Sequence, residues 1–213
     1  MSNGIRIYAM RNLLISFSIL LVCIFFVQQG CRSDKSKARH DIVKSTGVQS
    51  QVSSEALMPL HEAALNGRID QIMKHIERGT DVNTLDEEGR TPLMYASYNN
   101  HVEIMRLLIS RGADVNVQDK YGRTALMMAA SGPFPQAVKL LLDNNANPDL
   151  TDKEEHYTAL MYAAAEGQLE VIKILLAYKA DAFLKDADGD DALTFARNNG
   201  HTDVVKLLES LKK

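Results

Sequence analysis

The 213-residue chain contains no tryptophan, and its aromatic residues make up only 6% of the total. This argues against a large mixed core built on big aromatic side chains and favours many small helices rich in Ala and Leu. Cysteine is nearly absent as well. The only two, Cys23 and Cys31, precede residue 56, so neither a disulfide nor a cysteine metal site can form within residues 56–213. That same stretch has fewer basic than acidic residues: it holds 17 Lys and Arg against 24 Asp and Glu, a net of −7. Nucleic-acid binding requires a basic surface that displaces counterions from phosphates, so a general nucleic-acid binder is disfavoured. The sequence shows no phosphate-cradling glycine loop and no G-x-S-x-G element.

The N-terminus is organised differently. Residues 1–12 hold Arg6 and Arg11 and no acid, and Leu13 to Val27 is a mostly apolar run. Gln28, Gln29, Gly30 and Cys31 follow. A positive segment, an apolar segment and a small residue at a cleavage point form the order of a secretory signal. With a cysteine directly after the small residue, the stretch resembles a bacterial lipoprotein signal over residues 1–30. The resemblance implies diacylglycerol on the Cys31 thiol and cleavage before it. Gln28 departs from the usual pattern, which has Leu at that place. Two other readings stay open: an uncleaved membrane anchor and a plain secretory signal. Fifteen helical residues reach roughly 22 Å, short of the ~30 Å hydrocarbon core, which weighs against the anchor. All three readings export the folded repeats. Residues 31–55 are polar with few large apolar side chains, so they are expected to form a flexible tether.

From residue 56 the sequence repeats itself. Thr91 to Thr124 spans 33 residues, Thr124 to Thr158 spans 34, and Thr158 to Asp191 spans 33. Each unit opens on a motif such as Thr91-Pro92-Leu93-Met94, Thr124-Ala125-Leu126-Met127 or Thr158-Ala159-Leu160-Met161. A pair of small residues follows, such as Ala63-Ala64 or Ala96-Ser97, then a Leu-rich segment such as Met105 to Ile109. Thr91 suits a helix N-cap and Pro92 the first turn, where no amide donor is needed. Ile104, Leu107 and Leu108 recur at helical spacing. Asp114, Asn116 and the stretch Asp119 to Gly122 are turn formers.

Residues 56–213 therefore resemble the ankyrin repeat, with its 33-residue period and T-P-L-H-x-A opening. The resemblance implies an all-α fold: a solenoid of about five helix-turn-helix repeats, at 56–86, 87–118, 119–151, 152–185 and 186–213, joined by β-hairpin-like turns. Terminal repeats of such arrays carry polar outer faces. Lys74 and His75 stand where Leu107 and Leu108 do, and Glu209 stands where Ile109, Leu142 and Leu176 do, so the array reads as complete. Two units depart from the pattern. Ser131 to Pro135 brings two prolines and Phe134, expected to be exposed, into an inter-helix turn. Asp152 to Tyr157 has one extra residue and no turn glycine, so a bulged hairpin is expected.

No catalytic constellation emerges. His61, His101 and His201 occupy repeat-pattern positions that imply structural hydrogen bonds. His156 with Glu154 and Glu155 reads as a solvated acidic turn, and Asp186 to Asp191 as a hairpin without the closing glutamate of a calcium loop. The reading is of a monomeric, lipid-anchored, exported bacterial protein without enzyme activity, cofactor or metal. It binds another protein of the envelope or outside the cell through the hairpin tips and the exposed side of the first helices. The candidate contact residues are Arg90, Tyr98, Asn99, Tyr121, Arg123, Phe134 and Tyr157, with Tyr and Arg weighted because they are enriched in interface hot spots. The alternative is an inhibitor or immunity-type protein that neutralises an exported enzyme, its acidic repeats set against a basic rim. Palmitate labelling in the native cell checks the anchor: the wild-type chain takes up label, and Cys31→Ala abolishes it.

Overall fold

The computed structural model describes residues 58–212. The signal-like stretch 1–30, Cys31, the tether 31–55 and the first two residues of the expected array lie outside the described residues. All described residues belong to one unit, Ser53–Lys213.

Ten α-helices run through it in five pairs, with no strand among the described residues. The pairs are α1 (Leu60–Leu65) and α2 (Ile69–Glu77), α3 (Pro92–Tyr98) and α4 (Val102–Ser110), α5 (Ala125–Ala130) and α6 (Pro135–Asp143), α7 (Ala159–Ala165) and α8 (Leu169–Ala177), and α9 (Ala192–Asn198) and α10 (Thr202–Ser210). Each first helix packs on the first helix of the next pair, and each second helix on the next second helix. This is the helix-turn-helix solenoid that the repeats imply.

Helices this short are marginal in isolation. Side-chain caps hold four of the first helices at their starts. Thr91, Thr124, Thr158 and Asp191 accept bonds from the amides of Met94 (3.2 Å), Met127 (3.3 Å), Met161 (3.3 Å) and Thr194 (2.9 Å). Each such cap contributes about 1 kcal/mol. Packing supplies the rest. Ala63, Ala64, Ala96, Ser97, Ala129, Ala130, Ala163, Ala164 and Ala196 are all at 0% exposure. Any larger side chain there would push neighbouring first helices apart. Ser97 satisfies its hydroxyl by donating to Leu93 O at 2.7 Å. On the second helices the stripe is Ile104, Met105 and Leu108 in α4 and Val171, Ile172 and Leu175 in α8, all buried, while Leu107, expected in the stripe, is half-buried. Met94, Met127 and Met161 are core residues too.

The two ends are closed differently. At the C-terminal end, exposed Glu209 pairs with Arg197 at 2.6 Å. At the other end Lys74 and His75 are half-buried, and His75 Nε2 lies 2.7 Å from Met58 O. Gln71, at the place of Ile104 and Val171, is buried with its Oε1 unpartnered.

A side-chain clasp joins some neighbouring pairs at the inter-helix turn. Asn99 Nδ2 donates to Leu65 O at 2.6 Å, and His101 Nε2 lies 3.0 Å from the same oxygen. Asn199 and His201 do the same to Ala165 O, each at 2.9 Å. A carbonyl only accepts, so Nε2 carries the proton in both histidines. The preceding repeat makes room with glycine. A Cβ on Gly67 would lie 2.8 Å from the His101 ring, and one on Gly167 2.5 Å from His201. Both glycines also have positive φ, +69° in each case.

These two demands separate in a pair of variants. Gly200 has φ +77° but open space around its missing Cβ. In urea unfolding, Gly200→Ala should cost about 1–2 kcal/mol for the left-handed backbone alone. Gly167→Ala should cost more by about 1 kcal/mol, because the displaced His201 loses its bond to Ala165 O.

Candidate protein-binding face

The tips between successive pairs are built on four aspartates in register. Backbone bonds close the loops, from Asp86 N to Arg90 O (3.0 Å), Asp119 N to Arg123 O (3.0 Å), Asp152 N to Tyr157 O (3.1 Å) and Asp186 N to Asp190 O (2.9 Å). One oxygen of each carboxylate then accepts amides across its own loop. Asp86 Oδ1 takes Glu88 and Arg90, and Asp119 Oδ1 takes Tyr121 and Arg123. Asp152 Oδ1 takes Glu155 and Tyr157, and Asp186 Oδ1 takes Asp188 and Asp190. Successive tips are tied by Lys120 N to Glu88 O, Lys153 N to Tyr121 O and Ala187 N to Glu155 O, each 2.9 Å. The extra residue in the fourth repeat shows as a wider loop in which His156, at φ 59°, takes the left-handed place of the missing glycine.

The second carboxylate oxygen is served from the following first helix. Tyr95 donates to Asp86 Oδ2 at 2.6 Å, and Tyr162 to Asp152 Oδ2 at 2.9 Å. Burial opposes the Asp86 charge, but the Tyr95 hydroxyl and the Arg90 and Glu88 amides outweigh it and hold the carboxyl below the usual carboxylate range. Burial and the Asp152 carboxylate push the Tyr162 hydroxyl up. Met128 occupies the equivalent place on α5, so Arg123 serves Asp119 instead, with Nε at 3.0 Å and Nη2 at 2.9 Å from Oδ2. The Asp119 side chain is fully buried, and Arg90 Nε approaches the same oxygen at 3.8 Å without bonding.

Three candidate contact residues are thereby gathered into one cluster. Arg90 and Arg123 converge on Asp119, and the Tyr121 ring lies under the Arg123 guanidinium at 4.8 Å. The Tyr121 hydroxyl reaches Glu88 at 3.1 Å, and its side chain is 41% exposed. Arg123 thus spends two donors on Asp119, Arg90 gives one to the Tyr95 hydroxyl at 3.4 Å, and Tyr121 is the part of the cluster presented outward. Tyr157 stands in a different tip, half-buried and edge-on to Tyr162 and Phe195 at 5.8 and 5.1 Å.

The other three candidates lie at the far ends of the first helices, in or beside the inter-helix turns. Tyr98 is 37% exposed. Asn99 is exposed but its amide is held by Leu65 O. Phe134 is half-buried and not exposed as the sequence suggested. Its ring rests on Gly132, where a Cβ would fall 2.3 Å from Cε2, so the turn absorbs its own aromatic. Sequence reasoning missed Tyr95 and Tyr162 as partners of the tip aspartates. The signal was present in the near-constant interval between each Asp and the tyrosine that serves it, nine residues in one case and ten in the other.

The face is uneven in charge. The last tip holds Asp186, Asp188, Asp190 and Asp191 within six residues. Partial burial and then the Asp186, Asp188 and Asp191 charges raise the Asp190 carboxyl above its ordinary value. Among the described residues, no group of three His, Cys, Asp or Glu side chains converges to hold a metal ion, and no helix is long and apolar enough to cross a membrane.

Comparison with known families matches the model described as Ankyrin repeats (3 copies) to residues 60–152 and again to 132–212. No curated protein matches the chain.

The raised Asp190 carboxyl has a thermodynamic consequence. A carboxyl with a higher pKa folded than unfolded opposes folding when ionised, and that opposition fades as pH falls and the folded form takes up its proton. Asp190→Asn should therefore raise the melting temperature at neutral pH. The gain should shrink as pH drops through the carboxylate range, which thermal melts at a series of pH values will show.

Proposed function

The chain belongs to the ankyrin-repeat family, and on that premise we propose that it is a non-enzymatic binding module that engages another protein through its tips and first helices while lipid on Cys31 holds it at the envelope. The observation that carries the binding face is the Arg90–Tyr121–Arg123 cluster. A buried aspartate locks Arg123, with Arg90 close by, and Arg123 and Glu88 in turn hold an exposed tyrosine. A rigid aromatic loses little freedom on binding, which suits it to anchor an interface. The opposite surface supports the choice by contrast. Arg106, Lys173 and Lys206 stand at the same place on α4, α8 and α10, each paired with an acid three residues before it, and Lys139 at that place on α6 pairs with Asp143 four residues after it. Exposed pairs of this kind contribute little energy. Export of the chain and an envelope or extracellular partner rest on the lipoprotein-like stretch and stand or fall with it.

The acidic last tip favours a second reading, in which the bound protein is an exported enzyme with a basic rim that this chain inhibits. Binding of that kind weakens steeply with salt.

Photo-crosslinking in the native cell tests the face. A photoreactive residue at position 121 or 98 should capture the same partner, and one at position 173 should capture none. Tyr121→Ala should weaken binding of the captured partner by about tenfold or more, as loss of an aromatic anchor does. Equal capture from position 173 would place the interface elsewhere.

A further inference from the structure

Four joints connect the five helix pairs, and they are not laced alike. The joint between pairs one and two has the Asn99–His101 clasp on Leu65 O. It also has a second link, in which Asn83 Nδ2 donates to Gly112 O at 2.9 Å and Asn83 Oδ1 accepts from Asp114 N at 2.8 Å. Between pairs two and three the second link recurs in full, from Asn116 to Asn145 O (3.0 Å) and from Asn147 N to Asn116 Oδ1 (2.8 Å). The clasp is lost there, because Gly132 and Phe134 occupy its places. Between pairs four and five the clasp returns with Asn199 and His201.

The joint between pairs three and four has neither in full. Asp149 replaces the asparagine, so it accepts from Asp181 N at 2.8 Å but cannot donate. Glu166 and Gln168 occupy the clasp positions, and neither side chain bonds Ser131 O among the described residues. Pro133 stands where Gly67 and Gly167 admit a histidine ring at the clasped joints. The first helices α5 and α7 also pack less extensively than any other adjacent first helices.

The back of this joint is the reverse. The second helices α6 and α8 pack more extensively than any other adjacent second helices. A polar strap crosses them: Tyr178 donates its hydroxyl to Asp143, and Lys139 Nζ reaches Asp143 Oδ2 at 2.8 Å and the Tyr178 hydroxyl at 3.2 Å. Across the other three joints Glu77 and Arg111, Ser110 and Asn144, or Ala177 and Leu211 hold the places of Asp143 and Tyr178, so no other joint has this set.

We propose that the array parts at the joint between pairs three and four, hinging on the α6–α8 back and opening on the turn side, so that pairs four and five form a unit that opens separately from pairs one to three. This holds whether or not the proposed partner exists, since it rests on the joints alone.

Native-state hydrogen exchange on the full chain at low urea tests it. The helical amides of 60–143 should open as one set and those of 159–210 as another, with opening rates at least tenfold apart and the boundary between residues 143 and 159. A boundary at another joint, a single set, or fraying one pair at a time from the ends would overturn the hinge. A clasp built with Pro133→Gly, Glu166→Asn and Gln168→His should bring the two rates together. A boundary unchanged in that variant, once folded, would overturn the missing clasp as its cause. Tyr178→Phe leaves the core intact and should widen the gap between the sets; no change would overturn the strap as pivot.

Discussion

Every part of this array depends on one constraint: a single helix pair cannot bury its own apolar stripe. Helices of six to nine residues have too few internal hydrogen bonds to persist alone, so their stability comes from the neighbour on each side. That neighbour must approach closely, which is why Ala63, Ala64, Ala96, Ser97, Ala129, Ala130, Ala163, Ala164 and Ala196 are small and wholly buried. The same constraint explains why caps recur in register. A first helix that starts one residue early would turn its small face away from its neighbour.

Polar groups then decide how firmly each neighbour is held and where. The tip aspartates serve two purposes. They replace water for the amides of a tight loop, and through Tyr95, Tyr162 or Arg123 they fix the loop to the helix that comes after it. The clasp works across repeats instead. It needs a glycine in one repeat and a histidine in the next, so neither residue makes sense within its own unit. Where Asn100 or Pro133 takes the glycine's place, the next repeat has Phe134 or Gln168 in place of the histidine. This pairing shows the array to be laced joint by joint and not as a uniform stack.

The same economy shapes the binding face. Most polar side chains on the tips are committed to neighbours, and the exposed pairs on the second helices neutralise one another. What remains distinctive is an outward tyrosine on a rigid arginine–aspartate base. The proposed face offers shape and a few fixed groups for selectivity, with its most acidic tip the last.

Much of this was legible in the chain itself. The 33-residue interval, the Thr-x-Leu-Met openings and the paired small residues determined helix pairs, their order and their buried stripes, because local propensity and periodicity act within a repeat. The roles of Thr91, Pro92 and the three repeat histidines came from the same pattern. Tertiary structure alone decided what depends on contacts between repeats. It turned Phe134 inward onto Gly132, committed the Asn99 amide to Leu65, and drew Arg90 and Arg123 onto one buried carboxylate. It also showed which bonds between pairs the residue changes at the four joints keep or lose. The physical reason is that a hydrogen bond between residues some 34 positions apart depends on how two helix pairs sit together, and neither pair's sequence specifies that alone.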